Sequence, residues 1–291
     1  MSDVKSSFKL TVLITIAMMT WGLSWTNAKI LGAYGSPNLM MIWRFFIAII
    51  SFFPVVWITG NSFQLSKISF RYIILNSLCI VSYNYFYFKG TQIGFAGAGG
   101  VLVTTLNPTL TALFSGLFFG GLLTKKDGIG LLLGFFSGGL IIQIWRMDLI
   151  QLFNSGNIYF LLASLSWVSV TILTSKAKDH IPFITYSFWS FTISFFISVL
   201  LGSEESLFIV FSFDWVFWLN MLFLAVAAMS FGTSIYFMAS VKLGPKRASA
   251  YIFTVPITAM IFAVIFLNEP IEVTTLLGGL IGVIAVYLIN K

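Results

Sequence analysis

The chain has 291 residues, of which 58% are hydrophobic and 9% are charged, with 32 Phe, 9 Trp and a mean hydropathy of +0.98. Soluble domains use about 25% charged residues, so this composition excludes a soluble globular protein and indicates an integral membrane protein. The net charge of +7 does not indicate nucleic-acid binding, because the basic residues stand at alternate joints between apolar segments and not in one patch.

Ten apolar segments follow one another along the chain, each close to the length of about 20 residues that a membrane-spanning helix needs. They cover residues 10–30, 39–59, 70–89, 95–118, 128–145, 157–175, 183–201, 215–238, 247–267 and 273–289. This pattern predicts an all-α integral membrane protein with ten transmembrane helices in the lipid bilayer. A cleaved signal peptide is the alternative for residues 1–30, but the first segment has full spanning length and no small-residue cleavage site follows it.

The charged residues at the joints predict the orientation of the chain. With the amino terminus in the cytoplasm, 12 of the 16 basic residues fall on the cytoplasmic face: Lys5, Lys9, Lys67, Arg71, Lys125, Lys126, Lys176, Lys178, Lys242, Lys246, Arg247 and Lys291. The other face and the spans hold Lys29, Arg44, Lys89, Arg146, Asp148, Glu204, Glu205, Asp214, Glu269 and Glu272. The positive-inside rule therefore predicts a multi-pass protein of the inner or plasma membrane with both termini cytoplasmic.

The two halves of the chain match at a nearly constant offset. At an offset of 146 residues, Trp21 pairs with Trp167 and Trp43 with Trp189. At an offset of 148 residues, Pro108 pairs with Pro256, Gly130 with Gly278 and Gly134 with Gly282. At an offset of 150 residues, TQIG (91–94) pairs with VKLG (241–244). Each half has five segments, and an odd number means that the halves enter the membrane from opposite sides. We therefore expect two inverted repeats, residues 1–150 and 151–291, as in many secondary transporters; chance matching is the alternative.

Several motifs carry a resemblance to a known family. They are WG in the first segment, Arg44 and Phe45 with Ala48 in the second, the prolines of NPTLTALF (107–114) and VPITAMIF (255–262), and NEP (268–270) before a glycine-rich last segment. In this order, over the whole chain, they resemble the EamA-type drug/metabolite transporters. The resemblance implies a ten-helix inverted-repeat carrier, usually an exporter of amino acids or related metabolites, with a central cavity between the halves. One departure is Gly121, which stands where many members have an acidic counterpart of Glu269.

The stretch WGLSWTNAK (21–29) places polar atoms inside the first apolar segment. Trp21, Ser24, Trp25 and Ala28 share one helical face and Asn27 lies one step round from it. Because polar atoms in hydrocarbon usually face the bundle interior, we interpret this face as cavity lining. The alternatives are polar contacts between helices and, for Trp25, an interfacial position.

The third segment contains SYNYFYFKG (82–90), in which Tyr83 and Tyr87 share a face, Asn84 lies beside them and Lys89 is near the outer end. Hydroxyl and amide groups between aromatic rings suit a small polar substrate. The alternative is an aromatic belt at the membrane interface, with Lys89 extending outward to the headgroups.

The fourth and ninth segments carry prolines at paired positions, in TTLNP (104–108) and FTVP (253–256). Proline removes a helical hydrogen bond and frees a carbonyl group, so we expect Pro108 and Pro256 to act as hinges and Thr104 and Asn107 to face the cavity. Proline kinks without a ligand role are the alternative. Further aromatic candidates for the substrate site are Trp167, Tyr186, Tyr236 and Tyr251.

Three cations, Lys29, Arg44 and Lys89, lie in or near the outer half of the first three segments, which contain no Asp or Glu. A cation in the membrane usually needs a partner, so at least one of them is expected to attract an anionic group on the substrate, with Lys89 favoured and Arg44 structural. Glu269, beside Pro270 at the outer edge, is expected to cap or orient the last helix and not to relay protons.

The inventory of reactive residues argues against an enzyme. The single cysteine, Cys79, lies in the third segment and the single histidine, His180, in the joint after the sixth, so neither a catalytic dyad nor a Cys/His metal cluster is expected. No GxxxxGK[ST] loop occurs, and no cofactor is expected. The predicted function is a secondary transporter of small polar metabolites, by uniport or exchange. The alternatives are a lipid-modifying membrane enzyme and a channel for small solutes.

Overall fold

The computed structural model describes residues 2–119, 125–146, 149–243 and 251–289, and every regular element in these ranges is a helix. The helices are α1 (Ser2–Leu31), α2 (Pro37–Ile58), α3 (Lys67–Ile93), α4 (Ala96–Phe119), α5 (Lys125–Ile142), the short α6 (Leu149–Asn154), α7 (Asn157–Ala177), α8 (Phe183–Leu201), α9 (215–243), α10 (Thr254–Leu267) and α11 (Val273–Ile289). Helix α9 consists of an α-helical part, Trp215–Leu222, a π-helical part, Phe223–Gly232, and a second α-helical part, Thr233–Leu243. Short 3₁₀ turns cover Ile144–Arg146, Leu207–Ser212 and Tyr251–Phe253.

Each of the ten predicted segments coincides with one of the long helices, which confirms the all-helical prediction. The ninth segment agrees only in part, since residues 247–250 lie outside the described ranges and α10 begins at Thr254. Polar residues at the joints explain several helix starts. Ser66 Oγ accepts the backbone N–H of Ser69 at 3.1 Å, and Asp214 Oδ1 accepts that of Phe217 at 3.1 Å, both as N-caps.

The contacts between helices follow a regular scheme. Helix α1 packs against α9 and α10, and α7 packs in the same way against α3 and α4; α2 packs against α8, and α5 against α11. Two tryptophans make equivalent bonds within this scheme. Trp43 Nε1 on α2 donates to the Leu207 carbonyl between α8 and α9 at 2.8 Å, and Trp189 Nε1 on α8 donates to the Phe63 carbonyl between α2 and α3 at 3.0 Å. If α1 to α5 are paired in order with α7 to α11, each contact named here corresponds to another one or to itself.

Small residues bring the helices into close contact, as is usual in membrane bundles. A Cβ atom at Gly22 of α1 would lie 2.9 Å from the backbone nitrogen of Ala259 on α10. A Cβ atom at Gly100 of α4 would lie 2.5 Å from Cβ of Ala259. Between α5 and α11, Ser137 Oγ donates to the Gly278 carbonyl at 2.7 Å.

Large apolar side chains cover much of the outer surface; Trp57 is 75% exposed, Leu132 73% and Leu200 86%. Within the residues that the structure describes, four helical stretches are long and apolar enough to cross a membrane by length and composition: Pro37–Ile58, Asn157–Ala177, Phe183–Leu201 and Trp215–Tyr236. The apolar helices Thr254–Leu267 and Val273–Leu288 are shorter. An exposed apolar surface of this kind fits a protein surrounded by lipid.

The charged residues of the joints separate to the two ends of the bundle. Helices α3 and α7 run antiparallel, so that Gly90 of α3 lies beside Phe160 of α7, and Ile73 of α3 clusters with Ala177 of α7. We call the end that carries Lys67, Arg71, Lys125, Lys126, Lys176 and Lys178 the basic end. The end that carries Glu204, Glu205, Asp214, Glu269 and Glu272 is the acidic end.

Candidate functional site

Aromatic side chains from α1, α3 and α7 meet in one group, which we call the aromatic cluster: Trp25, Tyr83, Tyr87, Phe160 and Trp167. Trp25 meets Tyr87 edge-on with ring centroids 4.7 Å apart, and Tyr83 stacks on Tyr87 at 5.8 Å. Trp167 of the second half lies 4.7 Å from Tyr83. Trp25 and Tyr87 are buried, whereas Tyr83 and Trp167 are partly exposed, so the cluster extends from the core to an accessible rim.

The guanidinium group of Arg44 lies next to the aromatic cluster, and the residue is only 7% exposed. One terminal nitrogen, Nη1, donates to Asn84 Oδ1 at 2.7 Å, and Cζ lies 5.3 Å from the ring centroid of Tyr87 and 5.8 Å from that of Phe88. Asn84 is held in place because its Nδ2 donates to the Ile80 carbonyl at 2.9 Å. Arg44 Nε is buried and has no hydrogen-bond partner. The role predicted for Arg44 from its sequence is structural, and this unpaired donor also allows it to bind a ligand.

Polar groups of α1 complete this region. Asn27 Nδ2 donates to Asn220 Oδ1 of α9 at 2.5 Å, and Tyr87 Oη donates to the Ser24 carbonyl at 2.5 Å. Thr26 Oγ1 and Asn27 Oδ1 are buried without a hydrogen-bond partner. Four predicted residues therefore lie in helix interfaces, in the half of the bundle nearer the acidic end: Trp25, Asn27, Asn84 and Tyr87.

Three other predicted aromatic residues lie nearer the basic end. Trp21 Nε1 donates to the Ala228 carbonyl of α9 at 2.9 Å, and its ring centroid lies 5.4 Å from that of Tyr236. Tyr251 Oη lies 3.3 Å from Thr11 Oγ1. These residues connect α1 to α9 and to the start of α10, separately from the aromatic cluster. Tyr186 is apart from both groups, because it is buried with Ile73, Ala177 and Ile181 between α3, α7 and α8.

The predicted hinge prolines occupy different positions in their helices. Pro108 is in the interior of α4, where Thr104 Oγ1 bonds its own helix at the Gly100 carbonyl at 2.5 Å and Asn107 Oδ1 has no partner. Pro256 is the third residue of α10, in the first turn, where its missing N–H breaks no hydrogen bond. Pro108 therefore lies where proline removes a hydrogen bond inside a helix, whereas Pro256 lies at a helix start.

The two lysines of the outer half differ in their surroundings. Lys29 Nζ donates to the carbonyls of Gln92 at 3.2 Å and Gly94 at 2.8 Å, so it neutralises the carboxyl end of α3. Lys89 is half-buried on the face of α3 that also carries the exposed residues Ser82, Tyr85 and Ile93. This face points away from the aromatic cluster, so the favoured role of Lys89 as an anion-binding residue stays a prediction without support from geometry.

The acidic end is held together by carboxylates of the second half. Glu269 accepts the backbone N–H groups of Ala96 at 2.7 Å and Gly97 at 2.9 Å, so it caps α4. The expectation that it caps the last helix is therefore corrected. Glu205 accepts the backbone N–H of Ser36 at 2.9 Å and its hydroxyl at 2.6 Å, at the start of α2. The proposed acidic counterpart position, Gly121, lies outside the described residues.

Acidification is expected to weaken the contact of Glu205. Partial burial raises the pKa of this carboxyl, but hydrogen bonds from Ser36 and Ser203 outweigh burial and hold the pKa below its usual range. A lowered pKa stabilises the folded protein above the ordinary glutamate value of about 4.3, and this contribution is lost as the pH falls through the lowered value. Thermal unfolding of the wild type should therefore be more sensitive to acid than that of Glu205→Gln; equal sensitivity would contradict the prediction.

Two features of the site were missed in the sequence. Phe160 lies close to the backbone of α3 and α4, since a Cβ atom at Gly90 or Gly99 would lie 2.6 Å or 2.5 Å from its ring. The run AGAGG (96–100) is the signal for such close packing. Asn220, the partner of Asn27, lies among apolar residues in WLNML (218–222), and no pattern in the sequence connects the two.

Comparison with known proteins identifies the family. The model of the EamA-like transporter family matches residues 9–143 and again residues 154–291. The uncharacterized transporter YoaV of Bacillus subtilis is 24% identical over 276 residues, which cover 90% of each chain. A WAT1-related chloroplast protein of Arabidopsis thaliana is 28% identical over 216 residues, which cover 69% of this chain and 50% of that protein.

A solved crystal structure shares the fold, with a TM-score of 0.65 and 15% identity, over 96% of this chain and 96% of that one. The family match covers nearly the whole chain, and the fold and the exposed apolar surface agree with it. The resemblance drawn from the sequence motifs is thereby confirmed, and the chain belongs to the EamA-like transporter family.

Proposed function

We propose that the protein is a secondary transporter that moves small polar metabolites across the inner or plasma membrane by alternating access. Its substrates are amino acids or related compounds, aromatic ones among them, and the direction is export. The observation that carries this proposal is the convergence of Arg44, Asn84 and the aromatic cluster, with residues from both halves, inside a bundle whose surface is apolar. The names of the relatives as transporters support it.

Ten transmembrane helices in two inverted repeats, residues 1–150 and 151–291, are part of the proposal. Three observations support the repeat: the family model matches each half separately, the packing of α1 against α9 and α10 corresponds to that of α7 against α3 and α4, and Trp43 and Trp189 make equivalent hydrogen bonds. In this arrangement α4 and α10 move relative to α1 and α7, and the substrate site opens alternately to each side.

The orientation is tested by labelling. With the basic end in the cytoplasm, cysteines introduced at Glu205 and at Lys125 should react with a membrane-impermeant maleimide from opposite sides of sealed cells, in a chain whose Cys79 is replaced by serine. Labelling of both positions from the outside would rule out the inverted arrangement.

The transport mode is tested in proteoliposomes. We expect saturable exchange that persists without an imposed pH gradient, because no Asp or Glu lies in the predicted spans to relay a proton. Liposomes loaded with a labelled amino-acid mixture should lose label when amino acids are added outside. Strict dependence on a pH gradient, abolished by Glu269→Gln, would make Glu269 a coupling residue instead, and flux without saturation would favour a channel.

A further inference from the structure

Arg44 poses an electrostatic problem for the protein. It is the eighth residue of α2, about 10 Å along the helix from Pro37, and it is buried, with 7% of its surface exposed. Arginine stays protonated under all physiological conditions, and burying a charge without a counter-ion costs several kcal/mol. Within the described residues no carboxylate pairs with Arg44, and Asn84 supplies only one neutral acceptor. An anion from outside the chain would remove this cost.

The unpaired part of the guanidinium has the geometry for such an anion. Nη1 of Arg44 donates to Asn84, and Nε is buried without a hydrogen-bond partner. The free edge is therefore the one formed by Nε and the second terminal nitrogen, and two parallel N–H groups along that edge match the two oxygens of a carboxylate. A carboxylate also supplies the negative charge that a neutral carbonyl group lacks.

The surroundings of Arg44 indicate what else the ligand carries. The rings of Tyr87 and Phe88 flank the guanidinium, and Tyr83 and Trp167 extend the aromatic surface to partly exposed positions. Aromatic rings provide large apolar contact area at a low cost in side-chain entropy. A ligand that extends from the cluster rim to Arg44 therefore has an apolar or aromatic body and an anionic end.

The other outer-half cations do not offer an equivalent site. Lys29 already donates to two backbone carbonyls at the end of α3. Lys89 stands on the face of α3 shared with exposed Ser82, Tyr85 and Ile93, where its ammonium group reaches the surface. Arg44 alone among these three combines deep burial with an unpaired buried donor.

From this arrangement we infer that Arg44 is the anion-binding residue of the transport site and takes the carboxylate of a small solute with an aromatic or apolar body. This inference rests on the proposed function and narrows its substrate class. Asn84 is a positioning residue, since its fixed amide oxygen holds Nη1 and turns the Nε edge toward the ligand. The substrate reaches Arg44 when the aromatic cluster opens during the transport cycle.

The test uses the full chain purified in detergent and two matched pairs of probes, benzoate with benzamide and phenylacetate with phenylacetamide. Thermal unfolding is followed as each probe is titrated. The two carboxylates should raise the unfolding temperature of the wild type and the two amides should not. Arg44→Gln should weaken the apparent affinity for the carboxylates about tenfold to a hundredfold, because charge-assisted hydrogen bonds are lost. Lys89→Gln is the matched control and should keep the wild-type response.

Asn84→Asp tests the inference without removing the cation. The new carboxylate, in place of an oxygen already 2.7 Å from Nη1, gives Arg44 an internal counter-ion. This variant should be more heat-stable than the wild type and should no longer respond to benzoate or phenylacetate. It also keeps the test decisive if Arg44→Gln does not fold.

Three results would overturn the inference: an unchanged carboxylate response in Arg44→Gln, an unchanged carboxylate response in Asn84→Asp, or no response of the wild type to either carboxylate. The proposed function fails separately. Saturable exchange of amino-acid amides, which lack a carboxylate, in proteoliposomes, together with no response to the carboxylate probes, would keep the transporter and remove only the anion site. Absence of any exchange would remove the transporter.

Discussion

Replacing Asn84 with leucine is expected to lower the free energy of unfolding by about 1.5–3 kcal/mol, because it removes a buried hydrogen bond to a charged group. Asn84 provides the hydrogen-bond acceptor described for Arg44, at 2.7 Å from Nη1. Leucine has a similar volume, so lost packing contributes little. Thermal unfolding in detergent, compared with the wild type under identical conditions, measures the effect.

The control for this change is Asn107→Leu, the same substitution on the neighbouring helix of the same half. Asn107 Oδ1 is buried without a hydrogen-bond partner, so its loss removes an unsatisfied acceptor and should be neutral or slightly stabilising. An equal loss of stability in both variants would mean that the Asn84 effect reflects the mutation type and not the buried charge of Arg44.

Replacing Glu269 with alanine is expected to open the acidic end. The carboxylate accepts two backbone N–H groups at the start of α4, at 2.7 Å and 2.9 Å, and hydrogen bonds to charged groups contribute about 1.5–3 kcal/mol each. A combined loss of about 3 kcal/mol changes the ratio of open to closed molecules about a hundredfold. A cysteine at Ala28, which is fully buried in α1, should then react much faster with a maleimide added from the acidic end.

Glu272→Ala is the matched control for Glu269→Ala, since it removes the same charge from the same loop. Glu272 accepts from Gln143 Nε2 at 3.0 Å, near the end of α5, and has no described bond to α4. Its replacement should leave the labelling of the cysteine at Ala28 close to that of the parent. Unchanged labelling in Glu269→Ala would show that the cap on α4 does not control access.

The helical framework of this protein is predictable because each segment is long, apolar and bounded by polar residues. The ten segments, the caps at Ser66 and Asp214, and the separation of charges to two ends all follow from local sequence. The relation between the halves is also visible in the sequence, since the offset of 146 that pairs Trp43 with Trp189 is nearly the 144 that separates their acceptors, Leu207 and Phe63.

The roles of single polar residues are less predictable, because they depend on which face of a helix meets which neighbour. Lys89 and Arg44 are alike in sequence as isolated cations in apolar segments, but one lies on a peripheral face and the other in a helix interface. Glu269 lies next to the last helix in sequence and caps α4 in space. The partner of Asn27 is nearly 200 residues away, at Asn220. Tertiary contacts of this kind leave no local pattern.

The π-helical part of α9, Phe223–Gly232, distinguishes the two halves, because its counterpart α3 is a continuous α-helix. Its Ala227 and Ala228 carbonyls accept hydrogen bonds from Thr20 and Trp21 of α1. If this part rewinds to the α form, the chain beyond it rotates about the helix axis and advances along it, because an α-helix has fewer residues per turn than a π-helix. A screw displacement is then available to one half alone, so the corresponding helices of the two halves need not move by equal amounts.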